Sequence, residues 1–263
     1  MKTALITGAT SGIGMEFARQ LAKCGYGLIV TGRRLDRMEA LQQELQVPVE
    51  IVVADLNEEQ ACYDLLEQLR DREIDVFINN AGFGLAGSFV DTDIKREVSM
   101  VKVNDLAMHI LFKGILQTMV ARDRGQILNV ASSAGLLPGG PYMATYYASK
   151  AYVTSLTRAV AVELKERGSK VRIGALCPGP VDTEFNANAD VTFALKGISA
   201  KQCVRECLSG MKKRKTVIVP TFVMKMAAFF GRFTPEGILL GIIGSQQKRK
   251  TGGKGMTRVK TEK

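Results

Sequence analysis

Tyr146 and Lys150 stand four residues apart in ATYYASKAYVTSLTRAVAVELKE, a stretch whose apolar spacing predicts a helix near 144–167. That spacing puts both side chains on one helix face. A phenol with an ordinary pKa of about 10 is a poor acid–base group at neutral pH. An ammonium within about 6 Å favours the phenolate and lowers that value, giving a proton donor tuned for carbonyl reduction. Tyr147 points about 100° away round the same helix and is expected to pack. Upstream, Ala131-Ser132-Ser133-Ala134-Gly135 follows a predicted strand and offers a hydroxyl to the same chemistry.

A second group of residues is suited to phosphate. Thr7-Gly8-Ala9-Thr10-Ser11-Gly12-Ile13-Gly14 lies between a predicted strand and an amphipathic helix. Gly8 allows a tight turn, Gly12 lets backbone approach a pyrophosphate, and Gly14 permits close helix-on-strand packing. The N–H groups at the helix start then face the phosphates, so Thr10, Ser11 and Ile13 join the glycines as dinucleotide-binding candidates. The next strand ends in Thr31-Gly32-Arg33-Arg34, where NAD-selective folds carry an acidic residue for the ribose 2′-hydroxyl. Two guanidinium groups suit a 2′-phosphate instead, which predicts NADP(H). Asp55, followed by Leu56, could accept from an adenine amino group or cap the helix beginning near 58. In Asn79-Asn80-Ala81-Gly82 the small Ala81 and Gly82 would let a coenzyme lie against backbone.

All these residues follow strands, and the elements that position them can be read in outline. Short β-branched runs near 3–7, 27–31, 49–54, 74–78, 125–131, 170–176 and 216–219 alternate with helical stretches near 13–24, 35–46, 58–71, 93–122 (broken), 144–167 and 200–213. That alternation predicts an α/β fold: a Rossmann-type, doubly wound parallel sheet of about seven strands with helices on both faces. Ligands of such sheets bind beyond the carboxyl ends of the strands, where strand order reverses. With no Pro/Gly-rich linker, residues 1–245 read as a single domain, followed by a basic, flexible tail over 246–263.

In these motifs and their order the chain resembles the short-chain dehydrogenase/reductase family in its single-domain form. The glycine motif matches Thr7, Gly8, Gly12, Ile13 and Gly14, the Asn-Asn-Ala-Gly motif 79–82, and Tyr-x-x-x-Lys Tyr146 and Lys150. A structural asparagine matches Asn104 in Val103-Asn104, and Pro-Gly-x-Val-x-Thr matches Pro178, Gly179, Val181 and Thr183, so the likeness spans about two-thirds of the chain. It implies an NADP(H)-dependent oxidoreductase interconverting a ketone and a secondary alcohol. Tyr146 would be the acid–base and Lys150 would lower its pKa and bond the nicotinamide ribose. A serine would hold the substrate oxygen, and Asn104 would position a water in a proton relay. The family serine lies thirteen residues before the tyrosine and three before a glycine; Ser132 meets the second spacing and Ser133 the first. An insertion in the Pro138–Pro141 loop reconciles the two, and Ser132 is preferred. The resemblance also implies a homodimer or homotetramer and a substrate lid over about 183–215, in which Phe185, Phe193 and Leu195 would line a greasy pocket for an apolar, steroid or fatty-acyl substrate. A noncatalytic NADP-binding protein is the alternative, but it has no need for Tyr146, Lys150, Ser132 and Asn104 together.

Composition narrows the remaining classes. With 46% apolar and 24% charged residues over 263 positions, the chain is neither disordered nor collagen-like. Its net charge is +10, but seven cations against Glu262 place +6 of that within residues 246–263, which reads as a solvated tail rather than a specific nucleic-acid site. Five scattered cysteines suit a reducing compartment, and with His109 as the one histidine no metal site is expected. The N-terminus lacks a signal-like apolar run, and Lys225 and Arg232 interrupt the apolar helices expected over about 221–244, so a cytoplasmic location is expected. Met and Phe in that stretch read as packing against the domain or a subunit partner. A membrane-surface helix pair beside the basic tail is the sharper reading.

Overall fold

A computed structural model describes residues 1–184 and 197–250. Parallel strands covered by helices on both faces read as near-continuous apolar runs. TALIT, GLIVTG, VEIVV, VFIN, QILNV and RIGAL accordingly form β1 (Thr3–Thr7), β2 (Gly27–Gly32), β3 (Val49–Val53), β4 (Val76–Asn79), β5 (Gln126–Val130) and β6 (Arg172–Leu176). Two short strands, β7 (Val181–Asp182) and β8 (Ile198–Ser199), pair with each other, and β9 (Val217–Ile218) joins the main sheet. That sheet has the order β3-β2-β1-β4-β5-β6-β9, with every pair parallel. The chain runs from β1 outward to β3 and then crosses back to β4, so strand order reverses between β1 and β4.

Register sorts the strand side chains into two cores. Ile29, Leu5, Phe77, Ile127 and Ile173 are successive cross-strand partners in one row. They pack against α3 (Glu59–Gln68), α5 (Met108–Ala121) and α6 (Ala144–Glu166). The adjoining row, Val30, Ile6, Ile78 and Leu128, faces the other way. It packs on α1 (Gly12–Lys23), α2 (Leu35–Glu44) and α7 (Ala200–Lys212). The period-2 alternation of strand side chains produces both layers.

Three expectations about the elements need correction. The helix expected to break within 93–122 does not break: α4 (Ile94–Val101), capped by Asp93, runs through a π-helical turn at Lys102–Ala107 into α5. A π-turn widens a helix without ending it, and such turns recur at functional sites. The lid expected over 183–215 does not include its far end. Within α7, Cys203, Val204, Cys207 and Met211 recur on one face and are buried in the core, so 200–212 is scaffold. Phe185, Phe193 and Leu195 lie outside the described residues. The tail does not begin at 246, because after α8 (Phe222–Gly231) the last helix, α9 (Glu236–Lys250), extends past that point. Its Gln247 is buried and donates to the Tyr147 hydroxyl at 2.8 Å.

Candidate active site

The turn after β1 is built to approach something closely. Gly8 and Gly12 have φ of +66° and +54°, in the left-handed region that side chains other than glycine rarely adopt. A Cβ on Gly14 would stand 2.3 Å from the Gly8 carbonyl oxygen and 2.5 Å from Asn80 Nδ2. The end of β4 bolts onto this turn: Thr7 Oγ1 accepts from the backbone N–H of Asn80 at 2.9 Å and of Ala81 at 3.0 Å. Asn80 Nδ2 in turn donates to the Thr7 and Gly8 carbonyls at 2.9 and 3.2 Å. Asn80, expected to touch a coenzyme, therefore shapes the cradle through its side chain. Ser11, in extended conformation before α1, makes no side-chain cap bond, so the first N–H groups of the helix stay available to an anion. Thr183 lies over the turn, its side chain 3.2 Å from where a Gly12 Cβ would be. These features fit a dinucleotide pyrophosphate.

At the end of β2 the two predicted arginines behave differently. Arg33 reaches out, its Nη1 3.9 Å from Asp55 Oδ2. The other Asp55 oxygen accepts from the Asn57 N–H at 3.0 Å, a local turn rather than a cap on α3. Arg34 folds back: Nη2 donates to Thr10 Oγ1 at 2.9 Å, and Nη1 meets Glu184 Oε2 at 3.2 Å. Arg37, one turn further along α2, donates to Glu184 Oε1 at 2.5 Å. Sequence reasoning missed Arg37 and Glu184. The i, i+3 spacing of Arg34 and Arg37 was an available signal for the first; the second comes from far along the chain. Hydrogen bonding from Arg37, then from Arg34, holds the Glu184 carboxyl below the usual carboxylate range.

Tyr146 and Lys150 share a face of α6, both buried, with Lys150 Nζ 5.9 Å from the Tyr146 ring centroid. Lys150 Nζ donates to the Val130 carbonyl at the end of β5 at 3.1 Å, which fixes the helix against the sheet. Of the two candidate serines, Ser132 is the one whose side chain meets the Tyr146 phenol. Ser133 instead begins a short 3₁₀ turn and donates its backbone N–H to Pro178. Gly135 lets that turn press on α6, since a Cβ there would lie 2.1 Å from the Lys150 carbonyl oxygen. Asn104, in the π-turn, is a strut. Its Oδ1 accepts from the Phe83 N–H at 3.0 Å, and its Nδ2 donates to the Phe83 carbonyl at 2.9 Å and to Ser149 Oγ at 3.1 Å. Gly82 fits between, where a Cβ would stand 2.9 Å from Asn104 Oδ1 and 3.3 Å from Lys150 Nζ.

The titration of the pair departs from expectation. Burial pushes the Tyr146 phenol up to about 12, against the opposing hydrogen bond from Ser132. Burial also brings Lys150 down to about 8, opposed by the charge of Asp105. Desolvation, which disfavours both charged forms, outweighs the Ser132 hydrogen bond at the phenol and the Asp105 charge at the ammonium. A phenol so placed stays protonated at neutral pH.

The remaining predicted residues take these places. Pro178 accepts from Ser133, Val181 is buried in β7, and the position a Gly179 Cβ would take lies 2.8 Å from Met224 Cγ on α8. Leu56 and Ile13 belong to the packing beneath. An apolar cluster surrounds Tyr146: Met100, Met143, Tyr147 and Ile243, with Phe83, Leu85, Leu137 and Leu239 at its margin. His109 shares a 2.6 Å hydrogen bond with the Tyr152 hydroxyl. All five cysteines are free, and no cluster of metal-ligating side chains occurs among the described residues. A cavity of about 770 Å³ opens at the opposite, amino-terminal end of the strands, where Arg124 pairs with Asp75 and Arg72 with Glu50.

With the geometry in view, the likeness to known proteins can be read. The short chain dehydrogenase family model matches residues 2–193. Sulfoacetaldehyde reductase 2 of Chromohalobacter salexigens is 36% identical over 187 residues, covering 69% of this chain and 73% of that protein. A short-chain dehydrogenase from Sphingobium yanoikuyae, solved in complex with NADPH, superposes with a TM-score of 0.80 at 29% identity, covering 91% of this chain and 95% of that one. The bulky-bulky ketone specific alcohol dehydrogenase from Comamonas testosteroni gives a TM-score of 0.76 at 26% identity, over 89% and 92% of the two chains. The chain belongs to the short-chain dehydrogenase family, oxidoreductases that act on CH–OH and C=O groups with a nicotinamide coenzyme.

Proposed function

We propose that the protein is an NADP(H)-dependent oxidoreductase that interconverts a ketone and a secondary alcohol on an apolar substrate, with Tyr146 as the acid–base. The observation that carries this reading is the buried Tyr146 phenol, hydrogen-bonded to Ser132 with Lys150 on the same helix face, at the sheet end that also bears the glycine turn. The turn at Gly8, Gly12 and Gly14, with Thr10, Ser11, Ile13, Ala81, Gly82 and Thr183 around it, would hold the pyrophosphate and nicotinamide half. Arg33, Arg34 and Arg37 supply the positive charge that favours a 2′-phosphate. The bound coenzyme supplies or accepts a hydride at the carbonyl carbon. In the reducing direction Tyr146 gives its hydroxyl proton to the carbonyl oxygen, and Ser132 holds that oxygen by a second hydrogen bond. Lys150 returns a proton to the phenolate, and Asn104 keeps α5 and α6 in the spacing that this transfer needs. The apolar residues around Tyr146 exclude water and favour a greasy carbonyl compound.

A coenzyme and substrate panel tests the reading. Purified protein should oxidise NADPH, in preference to NADH, in the presence of at least one ketone among steroid, fatty-acyl and aromatic candidates. Turnover that needed NADH, or none with any carbonyl compound despite NADPH binding, would overturn it.

A further inference from the structure

Helix α8 buries none of its residues. Phe222, Phe229 and Phe230 are 73%, 52% and 58% exposed, and Phe233, in the turn that follows, is 73% exposed. Val223, and Ile238 and Ile242 on α9, are also exposed. Phe229 joins it into one surface, its ring centroid 5.5 Å from Phe230 and 5.3 Å from Phe233 in edge-on contacts. Single exposed apolar side chains are ordinary, but a contiguous patch marks a face that meets another body. Packing against the domain, the plain reading of this stretch, does not account for these rings.

Charge identifies the body. Lys225 and Arg232 are exposed within the patch, and residues 221–263 carry nine Lys and Arg against Glu236 and Glu262, a net +7 of the chain's +10. A second copy seated here would bring the same positive segment against itself. An anionic lipid surface takes both the rings and the cations. No helix among the described residues is long and apolar enough to cross a membrane, so the contact is at the interface. The inner side of the same helices walls the candidate active site: Met224 lies against Gly179, while Leu239 and Ile243 join the apolar cluster around Tyr146 and Tyr147.

We propose that α8, the turn after it and the outer face of α9 form a docking surface for an anionic bilayer, which sets the substrate side of the cleft at the lipid. A poorly soluble carbonyl compound then reaches Tyr146 from the bilayer; this second half rests on the proposed function, while the docking does not.

Flotation of the full-length protein with phosphatidylcholine vesicles, with and without phosphatidylglycerol, tests it. The protein should rise only with phosphatidylglycerol, and added NaCl should release it. Phe229→Ser/Phe233→Ser should cut the bound fraction at least about tenfold by removing two rings that would enter the lipid. Arg232→Gln should weaken binding about fivefold, and thermal melts and reduction of water-soluble ketones should be unchanged. If the double variant fails to fold, Phe222→Ser reads the same contact. Protein that stays at the bottom with both vesicle types overturns the proposal. So does a double variant that floats like the parent, which would assign binding to the tail alone. A solution dimer that the double variant splits would seat a second copy on the patch instead. Failure of flotation leaves ketone reduction intact, whereas failure of the Tyr146 chemistry leaves flotation intact.

Discussion

Replacing Glu184 by glutamine should tighten NADPH binding, because its carboxylate now occupies the cations that a 2′-phosphate needs. Glu184 engages Arg34 at 3.2 Å and Arg37 at 2.5 Å, with side chains 39% and 38% exposed on the arginines and 45% on the glutamate. Ion pairs this open to water are worth about 0.2–1 kcal/mol each. Two pairs partly screened amount to roughly 1 kcal/mol that the 2′-phosphate must displace, or about fivefold in Kd. The sign follows from charge: the Glu184 carboxyl is held below the usual range, so it is ionised at neutral pH and the contact is intact there. It is lost only as pH falls through that lowered value. Glu184→Gln keeps the shape and removes the negative charge. Coenzyme titrations by protein or nicotinamide fluorescence at low ionic strength should give an NADPH Kd about fivefold smaller than the parent, with NADH changed less than about twofold, and the gain should shrink in salt. Unchanged or weaker NADPH binding, or an equal gain for NADH, would refute the assignment of Arg34 and Arg37 to the 2′-phosphate.

Gly14→Ala places a methyl 2.3 Å from the Gly8 carbonyl oxygen. Since the neighbour is backbone, the overpacking should cost about 1–3 kcal/mol, lower Tm by several degrees and abolish measurable NADPH binding; a normal melt with normal binding would mean that the turn relaxes freely. Ser132→Ala should lower turnover about 10²–10³-fold while Ser133→Ala stays within a few-fold, because Ser132 is the residue that bonds Tyr146; steady-state rates with the best ketone give the ranking, and the reverse order would transfer the role. For reduction, kcat/KM should fall as pH rises past about 8, where buried Lys150 loses its proton. A profile flat through that region would remove Lys150 from the proton path.

Parts of this molecule are legible because local chemistry dictates them. Buried parallel strands must be apolar on both faces, and a helix repeat must bring Tyr146 and Lys150 to one side. A turn with φ of +66° and +54° strongly favours glycine at 8 and 12. What escaped depends on distant chain segments. Glu184 meets Arg37 across 147 residues, and no periodicity announces such a pair. The preference for Ser132, read from its spacing to Gly135, agrees with its contact to the phenol. Asn104 reads as a motif residue, and its side-chain bonds to the Phe83 backbone and Ser149 come from segments far along the chain. The phenol was expected to be lowered by its lysine neighbour, yet both side chains are deeply buried, and desolvation outweighs the Ser132 hydrogen bond that favours the phenolate. Likewise the stretch 200–212 was expected to belong to a lid, although its buried face at 203, 204, 207 and 211 is that of a core helix.

The central claim is that the buried Tyr146 hydroxyl delivers the proton. Single-turnover hydride transfer from pre-bound NADPH to a ketone substrate, compared between the parent and Tyr146→Phe, tests it most directly. The account predicts NADPH binding within about twofold of the parent and transfer slowed by at least about 10²–10⁴-fold. Transfer at the parental rate in the phenylalanine variant would contradict it.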